Sequence, residues 1–335
     1  MTRGRQAVAR QAAAANRRVP STGAGMLCEL RSFQDSQRHA AAIAGWQQVY
    51  DQLGAGRPSS ELLQVSGERF QVFHEVLDKR VVQHGQSPRK RFCMAFSTAR
   101  TPVIQGCKVV SNSVLLLRDG EEFMLHAPEG LAFLALCVDL ERFSRLAEVE
   151  LGTERFARFA AMPGMDVPMR LLKAISVRLF RDLDGLVARG SHDDPVLEKR
   201  IEDTLMAVLL DLFLQANGEK RRNELAVSTY LVKRSQELAL ADPQRPLSVL
   251  DLCEQLHVSR KTLQNSFQRV VSMRPVEFLR SIRLNAVRRQ LMASSADESS
   301  VGDVAYAMGF RHLSHFSASY YTLFGEYPSE TPRSD

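Results

Sequence analysis

The sequence predicts an α+β chain: a β-rich N-terminal domain, a helical linker or dimerisation region, and an all-α C-terminal domain with two helix-turn-helix units. Three observations predict it. Short apolar runs separated by turn signals fill residues 70–138. Apolar spacing becomes helical after Leu140. One pattern of apolar and small residues then occurs twice in the last third of the chain.

Taken in order, residues 1–20 hold five arginines (Arg3, Arg5, Arg10, Arg17, Arg18), no acid and no apolar stretch of the kind a secretory signal needs. An Arg-rich, acid-free start also fits a transit peptide, but 1–38 reads more simply as a basic flexible tail, with Met26 as an alternative start. Trp46, Val49, Tyr50 and Leu53 recur at helical spacing and predict a short amphipathic helix over 45–53, ended by the Gly and Pro of 54–60. Arg91–Ser97, Ser113–Leu117, Glu122–Leu125 and Leu131–Val138 read as strands. Asp119-Gly120 between two of them predicts a hairpin. A domain of this kind holds a ligand in its mouth or serves packing alone, and periodicity does not separate the two.

Further on, Asp194 is placed to cap a helix with Pro195 at its first position. It runs through Leu197, Ile201, Leu205, Val208, Leu209, Leu212 and Phe213 and stops at Asn217-Gly218. Its second half is apolar on nearly all sides, so its own domain or a second subunit must cover it. Residues 218–227, with Lys220, Arg221 and Arg222, read as a linker.

Several function classes drop out. The longest run free of polar side chains is Leu131–Val138, far short of the roughly 20 residues a membrane span needs. Five cysteines without a CxxC pair read as thiols in a reducing cytoplasm, not as a disulfide framework. GxSxG, HExxH, a P-loop and a complete GxGxxG are all missing, so no catalytic residue is assigned and an enzyme is not expected. His312 and His315 stand at i, i+3 as metal ligands would, but they read as surface or phosphate-contacting residues, and no metal is assigned. Lys and Arg exceed Asp and Glu by 44 to 38, which admits a polyanionic partner without demanding one.

The repeat carries the most information. Leu252, Cys253, Leu256 and Val258 are matched by Val304, Ala305, Met308 and Phe310. With one residue inserted, Leu263 and Phe267 are matched by Phe316 and Tyr320. Each copy has the layout of a helix-turn-helix, with a small residue (Cys253, Ala305) where two helices cross and a turn residue (His257, Gly309) that must reach positive φ. Ser248 with Asp251, and Ser259, are placed to cap the helices of the first copy. If Leu263, Phe267 and Val270 face the core, Lys261, Gln264, Asn265 and Gln268 share the opposite face, where Asn and Gln suit adenine and Lys suits guanine. Arg260 to Arg289 holds eight cations (Arg260, Lys261, Arg269, Arg274, Arg280, Arg283, Arg288, Arg289) against Glu277 alone, as phosphate contacts require. A helix opening at Pro275 would hold the two units about 34 Å apart, on successive major grooves. The second unit buries Phe316, Tyr320 and Phe324 and leaves Ser314, Ser317, Ala318 and Tyr321 toward the groove, a weaker reading face.

Pro246–Gln268, the helix Pro275–Leu291, and Asp303-Val304-Ala305 through Gly309-Phe310 to Phe324-Gly325-Glu326-Tyr327-Pro328 resemble the DNA-binding domain of AraC/XylS-family transcription regulators. The resemblance implies seven helices, with two helix-turn-helix units joined by a long helix. One departure is Phe316-Ser317-Ala318-Ser319-Tyr320, which lacks the arginine the family usually carries between these aromatic anchors. A narrower resemblance, through Trp46–Leu53, Gln71-Val72-Phe73, Val249–Phe267 and Arg283–Arg289, is to the branch governing ethanolamine utilisation. That branch implies activation of a catabolic operon by ethanolamine with adenosylcobalamin as effector. The family resemblance alone leaves open a different small molecule or a protein partner.

The reading is therefore a bacterial cytoplasmic regulator with 39–217 as effector-sensing or dimerisation domain and 228–335 as DNA-binding domain. Its expected partners are double-stranded DNA, RNA polymerase, a small-molecule effector and a second copy of itself, with no membrane. The expected DNA contacts are Arg260, Lys261, Gln264, Asn265, Gln268 and Arg283, with Arg311, Leu313, Ser314, His315 and Ala318 in the second unit.

Overall fold

The computed structural model describes residues 26–334 apart from 105, 111, 191–193 and 217–224. It opens with β1 (Leu27–Phe33) and α1 (Ser36–Ala42). Ten strands follow: β2 (Gln47–Gln52), β3 (Ser60–Ser66), β4 (Phe70–Leu77), β5 (Val81–Gln86), β6 (Arg91–Ala99), β7 (Val103–Ile104), β8 (Cys107–Lys108), β9 (Ser113–Arg118), β10 (Glu122–Ala127) and β11 (Leu131–Asp139). Helices α2 (Leu140–Leu151) and α3 (Thr153–Ala160), strand β12 (Gly164–Asp166) and the long helices α4 (Met169–Arg189) and α5 (Pro195–Gln215) complete the N-terminal domain. The C-terminal part contains α6 (Ala226–Ala241), α7 (Val249–Leu256), α8 (Arg260–Val271), α9 (Pro275–Ala293), α10 (Val301–Ala307) and α11 (Leu313–Phe324).

Two antiparallel sheets, ordered β1-β3-β4-β11-β6-β9-β12 and β2-β5-β10-β7-β8, face each other across Trp46, Tyr50, Phe73, Leu125 and Phe133. Helices α2–α5 cover the outer face of the larger sheet through Phe143, Phe156, Leu209 and Phe213. The outer face of the smaller sheet, Val82, Val103 and Met124, packs on Leu231, Val232, Phe267 and Ile282 of α6, α8 and α9. Most strands are thus buried on both faces. In β11, Leu134, Leu136 and Val138 enter one core while Phe133, Ala135 and Cys137 enter the other. A strand with no wet face has no reason to alternate, which is why 131–138 reads as an unbroken apolar run.

The four expected strands between 91 and 138 are present. Three other expectations need correction. Residues 47–52 form β2, not a helix: Tyr50 faces the sandwich interior and Asp51 the opposite side, so burial on both faces had imitated helical spacing. Asp119 and Gly120 take φ of 36° and 74°, as a tight turn demands, yet β9 pairs with β6 and β12 while β10 pairs with β5 and β7. The turn carries the chain from one sheet to the other and closes no hairpin. Residues 27–38 are not tail: β1 pairs with β3 along its whole length, and Asp35 caps α1. Residues 1–25, and positions 218–224 of the expected linker, lie outside the described residues, whereas Ala226 and Val227, also expected in the linker, open α6.

Helix α5 begins as expected, with the Asp194 carboxylate accepting from the N–H groups of Val196 and Leu197. Leu205, Leu209, Leu212 and Phe213 are buried within their own domain. Among the described residues no helix is long and apolar enough to cross a membrane. Cys28, Cys93, Cys107 and Cys137 are buried, and Cys253 is half-buried.

Candidate nucleic-acid interface

Two pairs of short helices, α7–α8 and α10–α11, flank the connecting helix α9, and they repeat one another in detail. Ser248 accepts from Asp251 N–H at 3.1 Å while the Asp251 carboxylate accepts from Ser248 N–H at 2.8 Å. Ser300 and Asp303 open α10 in the same way. In the first pair Val258 N–H donates to Cys253 C=O at 3.0 Å, and in the second Phe310 N–H donates to Ala305 C=O at 3.0 Å. Between them His257 (φ 52°) and Gly309 (φ 78°) both adopt the left-handed conformation. Histidine tolerates that at its site. At 309 a Cβ would also lie 2.5 Å from Pro243 O, so space as well as φ demands glycine there.

Ser259 caps α8 by accepting from Thr262 N–H at 3.1 Å. Leu263, Phe267 and Val270 then point into the core, where Phe267 meets Phe278 of α9 with ring centroids 5.2 Å apart. The opposite side of α8 exposes Lys261, Gln264, Asn265 and Gln268, with Arg260 at its start. Four of these, Arg260, Gln264, Asn265 and Gln268, line an open cleft whose other walls are Arg280, Ser281 and Leu284 of α9 and Ser319 and Thr322 of α11. Four hydrogen-bonding side chains on a rigid helix beside an arginine are suited to base edges and phosphates.

The second pair buries Phe316, Tyr320 and Phe324 and exposes Arg311, Leu313, Ser314, His315 and Ala318. These five do not line the cleft that α8 shares with α9. The cleft is closed instead by Ser319 and Thr322, one turn further along α11. Sequence reasoning passed over both, although Ser319 lies at i+4 from His315.

A helix-turn-helix domain family matches residues 252–334, spanning both pairs and α9. The XylDLEGF operon transcriptional activator 1 of Pseudomonas putida is 33% identical over 220 residues, covering 63% of this chain and 67% of that one. The chain belongs to the AraC/XylS family of transcription regulators. A probable thc operon regulatory protein of Rhodococcus erythropolis is 30% identical over 212 residues, 62% of this chain and 63% of the relative. The chain thus spans about two thirds of the length of these curated relatives. Among solved structures, an AraC-type DNA-binding-domain regulator from Chromobacterium violaceum is 29% identical and covers 32% of this chain and 92% of its own, with a TM-score of 0.29. These relatives are named for xyl and thc operons, and none of those names bears on ethanolamine or adenosylcobalamin.

The remaining cations of this AraC/XylS regulator divide. Arg283 is half-buried, its guanidinium 5.2 Å from the centre of the Phe310 ring, and burial together with the neighbouring Arg280 charge lowers its pKa. Arg288 and Arg289 do not face the cleft. They are buried or nearly so in ion pairs with Asp35, Glu326 and Asp51, which corrects their expected place in a DNA-facing run. His312 and His315 lie ring to ring at 6.2 Å, and among the described residues no three metal-ligating side chains come together.

A second polar site lies between the sheets. Glu75, 2% exposed, accepts from Tyr50 Oη at 2.8 Å and from Gln83 Nε2 at 3.0 Å. With Trp46, Phe73, Phe123 and Phe133 it lines a cavity of about 30 Å³. Burial raises its pKa from 4.5 to about 7 against the pull of these two hydrogen bonds. His39, 3.5 Å away, is lowered to about 3 by burial and so stays neutral, which leaves the Glu75 carboxylate without a cationic partner there.

Proposed function

We propose that the chain is an operon activator of the cytoplasm that binds double-stranded DNA through two helix-turn-helix units, α7–α8 and α10–α11, and works with RNA polymerase. The observation that carries this is the exposed row Lys261, Gln264, Asn265 and Gln268 on α8, inside the matched helix-turn-helix domain. In this reading α8 supplies most sequence discrimination. Arg311, Leu313, Ser314, His315 and Ala318 position the second unit, and Arg283 and Arg260 meet phosphates.

The test is anisotropy binding to DNA upstream of the gene and its neighbouring operon against scrambled DNA. Asn265→Ala is expected to weaken the specific complex by about 1–3 kcal/mol and to leave scrambled DNA unaffected. Equal losses on both DNAs would make Asn265 a backbone contact and move specificity elsewhere.

The interior site supports a small effector, and its chemistry selects among candidates. A buried carboxylate without a cation, ringed by aromatic faces, suits a primary ammonium group. A cavity of about 30 Å³ has space for one water-sized head. Ethanolamine carries such a head; adenosylcobalamin does not fit there, and no residue on that cavity is assigned to it. A thermal shift with ethanolamine that Glu75→Gln abolishes would support the amine reading, and a shift that survives the substitution would place the ligand elsewhere. For the homodimer, the outer stripe of α5 (Val196, Arg200, Ala207, Asp211, Leu214) is the surface proposed: an antiparallel pairing sets Arg200 against Asp211 of a second copy.

A further inference from the structure

Two loops of the N-terminal domain, 53–59 after β2 and 78–80 before β5, form one strip that joins the ends of α8 and α11. Leu53 N–H and Gly54 N–H both donate to Arg80 C=O, at 2.8 and 3.0 Å, and tie the two loops together. At one end of the strip the Arg80 guanidinium donates to Ser272 C=O, just past α8, at 3.2 Å. At the other end Gly56 N–H donates to Thr322 C=O at 3.0 Å, and Gln52 Nε2 to Leu323 C=O at 2.6 Å, both in α11. Strand β2 meanwhile grips α9. Gln52 and Asn285 hold each other twice, N–H to Oδ1 at 2.9 Å and Nδ2 to C=O at 2.8 Å, and Asp51 ion-pairs with Arg289. The strip is therefore fixed in register with both helix pairs. Its residues Leu53 and Ala55 line the same cleft as Arg260, Gln264, Asn265 and Gln268.

The strip brings its own cations to that cleft. Arg57 is more than half exposed, and its ion pair with Glu326 is long, at 3.9 Å. Arg288 already engages the same carboxylate at 2.7 Å, so the Arg57 charge is largely unspent. Lys79 lies along the loop: a Cβ added to Gly56 would stand 3.9 Å from its Nζ. Its neighbour Asp78, 3.4 Å away, also accepts from Ser59 N–H at 2.7 Å. A partly exposed pair of this kind contributes little to stability, and a phosphate can take the place of the carboxylate. Gly54, Ala55 and Gly56 add no long side chain, which leaves a low backbone between the two cations.

Two helices that read successive major grooves on one face leave the intervening sugar-phosphate backbone facing the protein between them. The strip spans that interval. We propose that it is a third DNA-contacting element, supplied by the N-terminal domain, in which Arg57 and Lys79 meet backbone phosphates between the two grooves. The proposal rests on reading the cleft of α8, α9 and α11 as the DNA interface. The element adds affinity and fixes register, and it reads no sequence, because phosphates are alike at every base pair. Arg80 is an anchor here, its guanidinium being held by Ser272.

The test measures binding of the full chain to operator and scrambled duplexes across a series of salt concentrations. Arg57→Ala and Lys79→Ala are each expected to weaken both duplexes alike and to lower the slope of log affinity against log salt by about 0.9. Between 50 and 200 mM salt the parent then loses about threefold to fourfold more affinity than either variant. Arg57→Lys keeps the charge and should keep the parental slope. Arg145→Ala is the control: this exposed cation lies on α2, over the outer face of the larger sheet, and its removal should leave the slope unchanged.

An unchanged slope in Arg57→Ala or in Lys79→Ala would overturn the proposal. An equal drop in Arg145→Ala would overturn it too, since the effect would then come from total charge and not from contact. Asn265→Ala, measured alongside, separates the two readings. If it still weakens the operator complex while the strip variants change nothing, α8 reads DNA and only the third element falls. If it also changes nothing, the cleft itself is not the interface.

Discussion

Replacing Phe213 by alanine is expected to destabilise the N-terminal domain by about 3–5 kcal/mol, the range for deleting a fully buried phenyl ring. Phe213 is 0% exposed. Its ring sits 5.7 Å from Phe92, 5.6 Å from Phe143, 6.1 Å from Phe156 and 5.6 Å from Phe159, joining α5 to β6, α2 and α3 at one point. No single neighbour can collapse into the vacated space without breaking another of these contacts, so the cavity persists. Against a typical domain stability of about 5–15 kcal/mol, the loss is a large fraction. Urea unfolding followed at several protein concentrations checks it. The midpoint should fall at unchanged slope, and the difference between variant and parent should be the same at every protein concentration, because Phe213 is covered by its own domain. A difference that changes with concentration would mean that a second subunit completes this core.

That outcome bears on what the sequence made legible. Periodicity identified α5 and its cap but not what covered it, because an apolar helix face looks the same whichever surface it meets. The strands from Arg91 to Asp139 were legible because turn residues bound them. Asp119-Gly120 showed the limit of that signal: turn chemistry fixes two φ angles, while the sheet each flanking strand joins is decided by partners far away in sequence. Strand β2 was misread because Gln48 and Tyr50 face one covered surface and Val49 and Asp51 another, so the polar-apolar alternation of a half-wet strand never developed.

The exposed polar face of α8 was legible for the opposite reason. Its buried side and exposed side differ in residue type at the helical period, so Leu263, Phe267 and Val270 locate Lys261, Gln264, Asn265 and Gln268 without further information. Arg288 and Arg289 show where charge counting fails. Their partners Asp35 and Asp51 are more than two hundred residues upstream, and a local count of cations cannot see acids that only folding brings near. The same folding creates the grip of β2 on α9, which no local pattern announces.

Glu75→Gln is expected to stabilise the protein at pH 8 and to leave it nearly unchanged near pH 4. The wild-type carboxyl has its pKa raised from 4.5 to about 7, with burial the leading cause. Between those two values the folded chain holds a proton that the unfolded chain has released, so stability contributed by this group is full below pH 4.5 and is lost as pH rises through about 7. A shift of this size corresponds to about 3 kcal/mol at high pH, the upper bound on what glutamine can restore. Glutamine keeps an acceptor for the Gln83 amide and offers an N–H to the Tyr50 hydroxyl, which can turn to accept it. Denaturant midpoints of both proteins between pH 4 and pH 8 should therefore diverge with rising pH. A constant difference across that range would show that folding does not raise the pKa of this carboxyl. An ammonium ligand acts in the reverse sense, because a cation against Glu75 lowers its pKa and flattens the wild-type profile. Such a flattening would tie ligand, carboxylate and Tyr50 to one site, and Tyr50 adjoins the residue that holds Arg289.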